Sequence, residues 1–152
     1  MIDNVEIELA RAADAEAIAR LSKQAIEHGL PWRWTPARVL HSIRDRETNV
    51  VVAREGGALA GFGIMKYGDD DAHLFLLAVD PGRRRRGLGS KMLSWLEHSA
   101  ETAGLGCIRV EARGENLTAR SFYDRLGYRE TGLIKGYYQG AEDAVCLEKR
   151  LR

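Results

Sequence analysis

Cysteine, proline and long apolar runs are scarce in this sequence, and each shortage excludes a class of protein. Only two of 152 residues are cysteines, Cys107 and Cys146, and both lie in apolar, strand-like segments. We therefore expect buried, reduced thiols rather than a disulfide-stapled fold. No stretch approaches the roughly 18 apolar residues that a membrane span needs, and the first residues lack the pattern of a signal peptide. A cytoplasmic protein without a membrane partner is expected.

A strong net charge is also missing. The sequence has 23 Lys and Arg against 22 Asp and Glu, which gives a formal net charge of +1. This balance argues against nucleic acid as a partner. The four histidines show no metal-ligand spacing, so no metal is expected. The length predicts one domain over residues 1–152, and 45% apolar with 30% charged residues is typical of a globular protein.

Hydrophobic periodicity and turn residues predict seven strands and four helices. Strands are predicted over 5–11, 50–54, 60–67, 73–79, 107–112, 128–134 and 144–151, and helices over 14–28, 35–45, 87–103 and 117–126. Asp14, Thr35 and Asn116 are candidate N-caps, and Gly56-Gly57 predicts a hairpin. The order β-α-α-β-β-β-α-β-α-β-β predicts an α/β (α+β) fold. Its centre would be a mixed, mostly antiparallel sheet of about seven strands with helices on both faces.

The most informative segment is the run VDPGRRRRGLGS at residues 79–90. It follows the apolar strand 73–79, predicted to be buried and central, and it precedes a predicted helix. A helix N-terminus offers unpaired N–H groups and a positive dipole end. Glycines allow close backbone approach, and arginines supply donors for phosphate oxygens. The segment therefore predicts a binding site for a pyrophosphate.

Two common phosphate loops do not fit this segment. The dinucleotide pattern G-x-G-x-x-G fails at Met92, and the P-loop fails because Leu88 and Gly89 stand where Lys and Ser or Thr are required. An ordinary basic turn on an αβ domain and a nucleic-acid patch are the alternatives. The second fits less well, because the arginines lie between glycines at a helix start.

The remaining pattern resembles the acyl-CoA-binding motif of the GNAT superfamily of N-acetyltransferases. R-x-x-G-x-G occupies residues 84–89 and follows V-x-P at residues 79–81. A second signature of the superfamily, N-x-x-A-x-x-F-Y-x-x-L-G-Y, occupies residues 116–128. The resemblance covers essentially the whole chain. It implies the GNAT fold, acetyl-CoA as co-substrate, and transfer of an acetyl group to an amine.

Further residues are similar to the ribosomal-protein-alanine acetyltransferase branch, which acetylates the α-amino group of a protein N-terminus. They are Pro31-Trp32, Leu74-Phe75, the tail over residues 136–144, and the pair Glu111 and Asn116 in E-x-x-x-x-N. Two features depart from the branch: Arg33-Trp34 look like an insertion, and Leu76 stands where the branch often has Asn. Both would lie near the acceptor groove.

The resemblance assigns two catalytic residues. Glu111 is the candidate general base, acting through a water or from a buried position. Its alternative is an ion pair with Arg109 or Arg113. Tyr123 is the candidate general acid, since tyrosine keeps its proton at neutral pH. Its alternative is a core aromatic of the Phe122-Tyr123 pair on an amphipathic helix. Adjacent helical residues point about 100° apart, so one of the two can face the core and the other the cleft.

The resemblance also assigns binding residues. A backbone N–H on the strand 77–79 would stabilise the thioester oxygen, and Asn116 would bind the pantetheine arm or act as a plain N-cap. Trp32 and Tyr138 would wall the acceptor entrance, with partly exposed aromatics as the alternative. The cofactor-binding set is Leu77, Ala78, Val79, Arg84, Arg85, Arg86, Gly87, Leu88, Gly89, Ser90 and Asn116.

Three functions follow from this interpretation. The first is acetylation of a protein N-terminus. The second is acetylation of a small amine such as a polyamine, an amino acid or an antibiotic, toward which residues 69–71 (DDD) could attract a polycation. The third is a non-catalytic acyl-CoA sensor. A monomer or a homodimer fits each of them.

Overall fold

The computed structural model describes residues 5–84, 87–138, 140 and 142–152, and within these ranges seven strands form one sheet. The strands are β1 (Val5–Leu9), β2 (Thr48–Glu55), β3 (Ala58–Tyr67), β4 (Asp71–Val79), β5 (Cys107–Arg113), β6 (Arg129–Tyr138) and β7 (Glu142–Arg150). Their order in the sheet is β1-β2-β3-β4-β5-β7-β6. The pair β4–β5 is parallel and the other neighbours are antiparallel. The predicted mixed sheet is therefore confirmed.

Helices cover both faces of the sheet, as the sequence predicts. The described residues form α1 (Ala15–Ala25), α2 (Pro36–Arg44), α3 (Leu88–Thr102) and α4 (Leu117–Arg125). On one face, Ile18 of α1 and Val39 of α2 are fully buried in a cluster with Phe62 of β3. On the other, α3 and α4 join a core with β5, in which Leu96 and Ile108 are fully buried. None of these described helices is both long and apolar enough to cross a membrane.

Local signals in the sequence predict several features correctly. The hydroxyl of Thr35 accepts a hydrogen bond from Arg38 N and begins α2. Asn116 Oδ1 accepts from Ala119 N at 3.0 Å and begins α4. Gly56 and Gly57 have positive φ angles of 60° and 85° in the turn between β2 and β3. Each of these features depends on neighbours within a few residues.

Other features depend on distant contacts. Asp14 is the residue before α1, as the sequence predicts, but its side chain does not cap the helix. Its Oδ2 instead accepts from Arg11 N at 2.7 Å and from Arg54 Nη2 at 2.6 Å, which joins the turn before α1 to β2. Helix α1 ends at Ala25 rather than at residue 28, because the buried carboxylate of Glu27 organises the next segment. That carboxylate accepts from Ser22 Oγ at 2.8 Å and from Arg33 N at 2.7 Å.

The second half of the sheet also departs from the prediction. Strand β6 continues to Tyr138 and β7 starts at Glu142, so the predicted tail over 136–144 belongs to a hairpin. The two cysteines are free, but they are half-buried rather than buried. Strand β4 is central, yet every second residue along it is only partly buried.

Strands β4 and β5 are hydrogen-bonded along only the first half of their length. Their pairing runs from Asp71 opposite Cys107 to Leu74 opposite Val110 and ends there. The register of β4 against β3 shifts at the same point, where Phe75 is the extra residue of a bulge between Leu74 and Leu76. A bulge bends its strand and increases the local twist. We call the space between β4 after the bulge and β5 after Val110 the cleft.

Candidate active site

One wall of the cleft is the free edge of β4. Asp80 N donates to Ala60 O at 2.8 Å, and the register places Ala78 opposite Phe62 and Leu77 opposite Gly63. Hydrogen bonds alternate along an antiparallel pair. The N–H groups of Leu77 and Val79 are therefore directed away from β3 and toward the cleft. They are the donors expected for the thioester oxygen and the pantetheine arm.

The N-terminus of α3 lies at the end of this edge. Gly87 precedes the helix with a φ of 76°, a conformation that favours glycine. A Cβ built on Gly87 meets no atom of the described residues within 4 Å, which leaves room for a ligand beside this backbone. The first N–H groups of α3, those of Leu88, Gly89 and Ser90, have no partner within the helix. Leu88 as a whole is 1% exposed and belongs to the core, so its side chain is not available to a ligand.

Gly89 serves the packing of the helix start. A Cβ there would lie 3.3 Å from the Phe122 ring of α4 and 3.7 Å from Val79 Cγ2. The missing side chain thus lets α3 begin directly against both α4 and the end of β4. Phe122 consequently contacts the proposed phosphate end of the cleft.

The two arginines of the basic turn that the structure describes, Arg83 and Arg84, differ in their contacts. Arg83 is held by carboxylates, with Nη1 3.0 Å from Glu55 Oε1 and Nε 3.3 Å from Asp80 Oδ2. It therefore stabilises the turn. Arg84 is exposed. Arg85 and Arg86, both predicted to bind the pyrophosphate, lie outside the described residues, and their role stays a prediction.

Glu111 lies at the other side of the cleft, directly after the last pair between β4 and β5. Its side chain is 13% exposed. Oε1 lies 2.5 Å from His73 Nε2 and accepts a hydrogen bond from Tyr137 Oη at 3.4 Å. Neither partner is expected from the sequence. His73 is 38 residues away in the chain and reaches Glu111 because β4 and β5 are parallel neighbours.

The alternative in which Glu111 pairs with Arg109 or Arg113 is wrong. Arg109 Nε binds Asp71 Oδ2 at 2.8 Å. Arg113 Nη1 lies 3.1 Å from Glu142 Oε2, and its Nη2 donates to the carbonyl oxygens of Ile26 at 2.7 Å and His28 at 3.1 Å. Both guanidinium groups are thus engaged elsewhere, and Glu111 is left to face the cleft with an imidazole and a phenol.

Tyr123 lies on α4 with its side chain in the core. The residue is 6% exposed, and its ring packs edge-to-face against Phe122 and Tyr128, with centroids 5.1 and 5.4 Å away. Burial raises the pKa of its phenol well above the ordinary value, and the nearby Tyr138 raises it further. The ring is therefore a core aromatic, as the alternative predicts, while its hydroxyl lies within electrostatic reach of Tyr138 at the end of β6.

Tyr138 connects Tyr123 to the Glu111 side of the site. Burial raises the pKa of its phenol, and Tyr137 and Glu111 add to the effect. Its ring packs edge-to-face on Tyr137 at 5.0 Å and lies under the Arg113 guanidinium, 5.6 Å from the ring centroid. Tyr138 is thus within electrostatic reach of both Tyr123 and Glu111, and its place in the acceptor wall stays a prediction.

Trp32 and Trp34 lie in different surroundings. Trp32 is 36% exposed, donates Nε1–H to Ala19 O at 3.2 Å and lies under Lys23 Nζ at 5.0 Å, so it packs on the outer side of α1. Its described contacts do not bring it to Glu111. Trp34 is 9% exposed and packs on Phe75 at 5.9 Å. Trp34, which belongs to the apparent insertion Arg33-Trp34, is therefore the aromatic residue that packs against the bulge of β4.

The sequence assigns no role to two residues that contact Glu111: His73 and Tyr137. His73 carries a weak signal, because it is the polar residue that begins the apolar run of β4. Tyr137 belongs to the branch-like tail over 136–144, but the sequence does not indicate that it reaches Glu111. Leu76, the other departure from the branch, is 8% exposed and packs in the α1–α2 core rather than lining a polar groove.

The arrangement fits acetyl-CoA. The open backbone at Gly87 and the free N–H groups of α3 suit a pyrophosphate, and the free edge of β4 suits an amide-containing arm. Asn116 Oδ1 is used by its cap, which leaves its side-chain amide as the group for such an arm. Among the residues described, no group of three or more His, Cys, Asp or Glu side chains could hold a metal ion.

Comparison with known proteins gives the same family. The model of the acetyltransferase (GNAT) family matches residues 13–128. The [Ribosomal protein bS18]-alanine N-acetyltransferase of Salmonella typhimurium is 31% identical over 144 residues, which cover 93% of this chain and 94% of that protein. The N-alpha-acetyltransferase RimI of Mycobacterium tuberculosis is 30% identical over 142 residues, covering 90% and 87%.

A solved structure agrees with these relatives. The ribosomal-protein-S18-alanine N-acetyltransferase of Escherichia coli superposes with a TM-score of 0.84 at 28% identity, covering 97% of this chain and 94% of that one. This chain thus shares the fold of that enzyme over nearly its whole length. The chain belongs to the GNAT family and is an acetyl-CoA-dependent N-acetyltransferase.

Proposed function

We propose that this enzyme acetylates the α-amino group of a protein N-terminus, with Glu111 as general base and Tyr123 as general acid. The observation that carries the proposal is the position of Glu111, at the apex of the cleft and within reach of the two tyrosines of β6. Relatives named as alanine N-acetyltransferases of a ribosomal protein, similar over more than nine-tenths of this chain, support the substrate class.

The cofactor end of the mechanism uses main-chain groups. The N–H groups at the start of α3 would bind the pyrophosphate of acetyl-CoA, with Arg84, Arg85 and Arg86 adding positive charge. The edge of β4 would hold the pantetheine arm and would place an N–H of Leu77 or Val79 on the thioester oxygen. Donors that are fixed before the reaction stabilise charge that develops on such an oxygen.

Glu111 prepares the acceptor. An amine in the cleft must lose a proton before its nitrogen lone pair can attack the thioester carbon. Both described contacts of Glu111 fall on Oε1. Oε2 is therefore the oxygen that accepts the amine proton, directly or through one water molecule.

Tyr123 serves the departing sulfur. A thiol has an ordinary pKa of about 8.5 and a tyrosine of about 10, and burial raises the pKa of Tyr123 above that value. Complete proton transfer is thus less favourable than the sequence suggests. The hydroxyl therefore acts first as a hydrogen-bond donor to the developing thiolate, and it keeps its proton at every physiological pH until that moment.

The acceptor can be tested by thiol release with acetyl-CoA. The panel contains peptides with different N-terminal residues, the same peptides with a blocked α-amine, polyamines, free amino acids and aminoglycosides. We expect turnover with free-amine peptides only, with mass spectrometry placing the acetyl group on the α-nitrogen. Turnover confined to a small amine would overturn the substrate and keep the cofactor site.

The variant Glu111→Gln is the matched control for the base. It keeps the shape of the side chain and an acceptor oxygen for His73, but it cannot take the amine proton. Turnover should fall at least 100-fold while the thermal shift caused by acetyl-CoA is unchanged. An unchanged turnover would show that another group is the base, whichever amine is the acceptor.

A further inference from the structure

The contact between His73 and Glu111 joins two strands at the point where they separate. His73 lies one residue before Leu74 and Glu111 one residue after Val110, the last pair between β4 and β5. Nε2 of the imidazole is 2.5 Å from Oε1, and the two side chains are 24% and 13% exposed. The pair is thus partly shielded from water and sits at the apex of the cleft.

The imidazole is held from several sides. Its ring packs edge-to-face on Phe75, with centroids 4.6 Å apart, and Phe75 packs in turn on Trp34. The backbone of His73 is paired on both edges, with Lys66 of β3 and with Arg109 of β5. A ring fixed in this way can fix the carboxylate that it contacts.

The neighbouring charged groups have partners of their own. Lys66 Nζ binds Asp45 at 3.1 Å, and Arg109 binds Asp71 at 2.8 Å. Cys146 of β7 stands opposite Glu111 in the sheet, and Tyr137 of β6 gives the carboxylate a longer contact at 3.4 Å. Within the described part of the chain, His73 therefore makes the short polar contact of Glu111.

We infer that His73 is a positioning residue for the general base. With a proton on Nε2, the imidazole donates to Oε1 of Glu111 and prevents rotation of the carboxylate. Oε2 then takes the proton from the amine and releases it to solvent, while His73 keeps its own proton throughout. The inference depends on the proposed catalytic role of Glu111 and adds to it a residue that sets the orientation of the base.

Three variants test the inference in the full-length enzyme, with whichever amine the wild type acetylates. His73→Leu removes the donor, and we expect kcat to fall about 10- to 100-fold with the KM for acetyl-CoA unchanged. His73→Gln can place an N–H near the position of Nε2 and should recover most of that loss. His98→Leu changes an exposed histidine of α3 and should leave kcat unchanged.

A spectroscopic measurement gives an independent readout. The ¹⁵N chemical shifts of the His73 ring should show the proton on Nε2 in the wild type, and this preference should be lost in Glu111→Ala. The signal is assigned as the one that disappears in His73→Gln. A ring with its proton on Nδ1 in the wild type would overturn the inference.

The outcomes separate this inference from the role of Glu111. Wild-type turnover in His73→Leu, next to an impaired Glu111→Gln, overturns the positioning role alone. Wild-type turnover in Glu111→Gln overturns both. Equal losses in His73→Leu and His73→Gln, accompanied by equal losses of melting temperature, would show that His73 is a structural residue and would also overturn the inference.

Discussion

Two buried tyrosines in contact with each other should respond to the same substitution in opposite ways. Tyr123 and Tyr128 are 6% and 1% exposed, and their rings are 5.4 Å apart. The described residues make no hydrogen bond to the Tyr123 hydroxyl, whereas Tyr128 donates to Glu97 Oε2 at 2.8 Å. Replacement by phenylalanine removes one oxygen from each and leaves the packing of the rings intact.

The expected magnitudes follow from these contacts. Tyr123→Phe removes a hydroxyl without a described hydrogen-bond partner, so the free energy of unfolding should change by less than about 0.5 kcal/mol. Its kcat should fall by about 10²- to 10³-fold, the usual contribution of a general acid. Tyr128→Phe breaks a hydrogen bond to a carboxylate that Lys149 also binds at 3.2 Å. It should destabilise the fold by about 1–2 kcal/mol, or roughly 2–8 °C in Tm for a chain of this size, and leave kcat near the wild-type value.

The assay pairs thiol release with thermal unfolding of the same samples. Acetyl-CoA binding, measured by calorimetry, should be nearly equal in the two variants, because the Tyr123 hydroxyl is needed mainly as the sulfur departs. The reasoning is refuted if Tyr123→Phe keeps full turnover, or if it loses cofactor affinity and turnover to the same extent. A stable, inactive Tyr128→Phe would equally contradict the assignment of the acid to Tyr123.

Two further predictions concern the cofactor site and the stability of the fold at low pH. Gly87→Val and Gly57→Val both place a β-branched residue at a positive φ, with no atom of the described residues within 4 Å of its Cβ. Both should therefore lower the free energy of unfolding by a similar amount, about 1–2 kcal/mol, in thermal melting. Only Gly87→Val should weaken acetyl-CoA binding, by more than 10-fold in calorimetry, and equal affinities of the two variants would place the phosphate site elsewhere. Asp45 accepts hydrogen bonds from the Thr48 hydroxyl, from Glu47 N and from Lys66, which lower its pKa from 3.8 to about 2. The stability that Asp45 contributes is therefore complete above pH 3.8 and is lost as the pH falls through about 2. The difference in Tm between the wild type and Asp45→Asn should therefore be constant near neutral pH and shrink between pH 4 and pH 2, and a difference that stays constant to pH 2 would contradict this account.

The sequence predicts those parts of the structure that short-range chemistry decides. The caps at Thr35 and Asn116 and the turn at Gly56-Gly57 each need only residues within one turn of the chain. The start of α3 is likewise recognisable, since Gly87 must adopt a positive φ in front of an amphipathic helix. Family membership follows from two such local motifs, one on α3 and one on α4.

The remaining features depend on contacts between distant residues. Asp14 binds Arg54 across 40 residues, and Glu111 meets His73 across 38. No local pattern shows that Phe75 is the extra residue of a bulge, because bulges arise from the register of two strands. The different surroundings of Trp32 and Trp34 also depend on a distant contact, since the buried carboxylate of Glu27 decides how that segment turns.

The short contact between β4 and β5 also has a mechanical meaning. Four residue pairs join an antiparallel block of β1 to β4 to a second block of β5 to β7. Under mechanical force, such a sheet should separate first between β4 and β5, while the helices on its two faces would hold the two blocks together. A molecule bound across the cleft would join the two blocks, so the proposed active site lies where ligand binding can add the most rigidity to the fold.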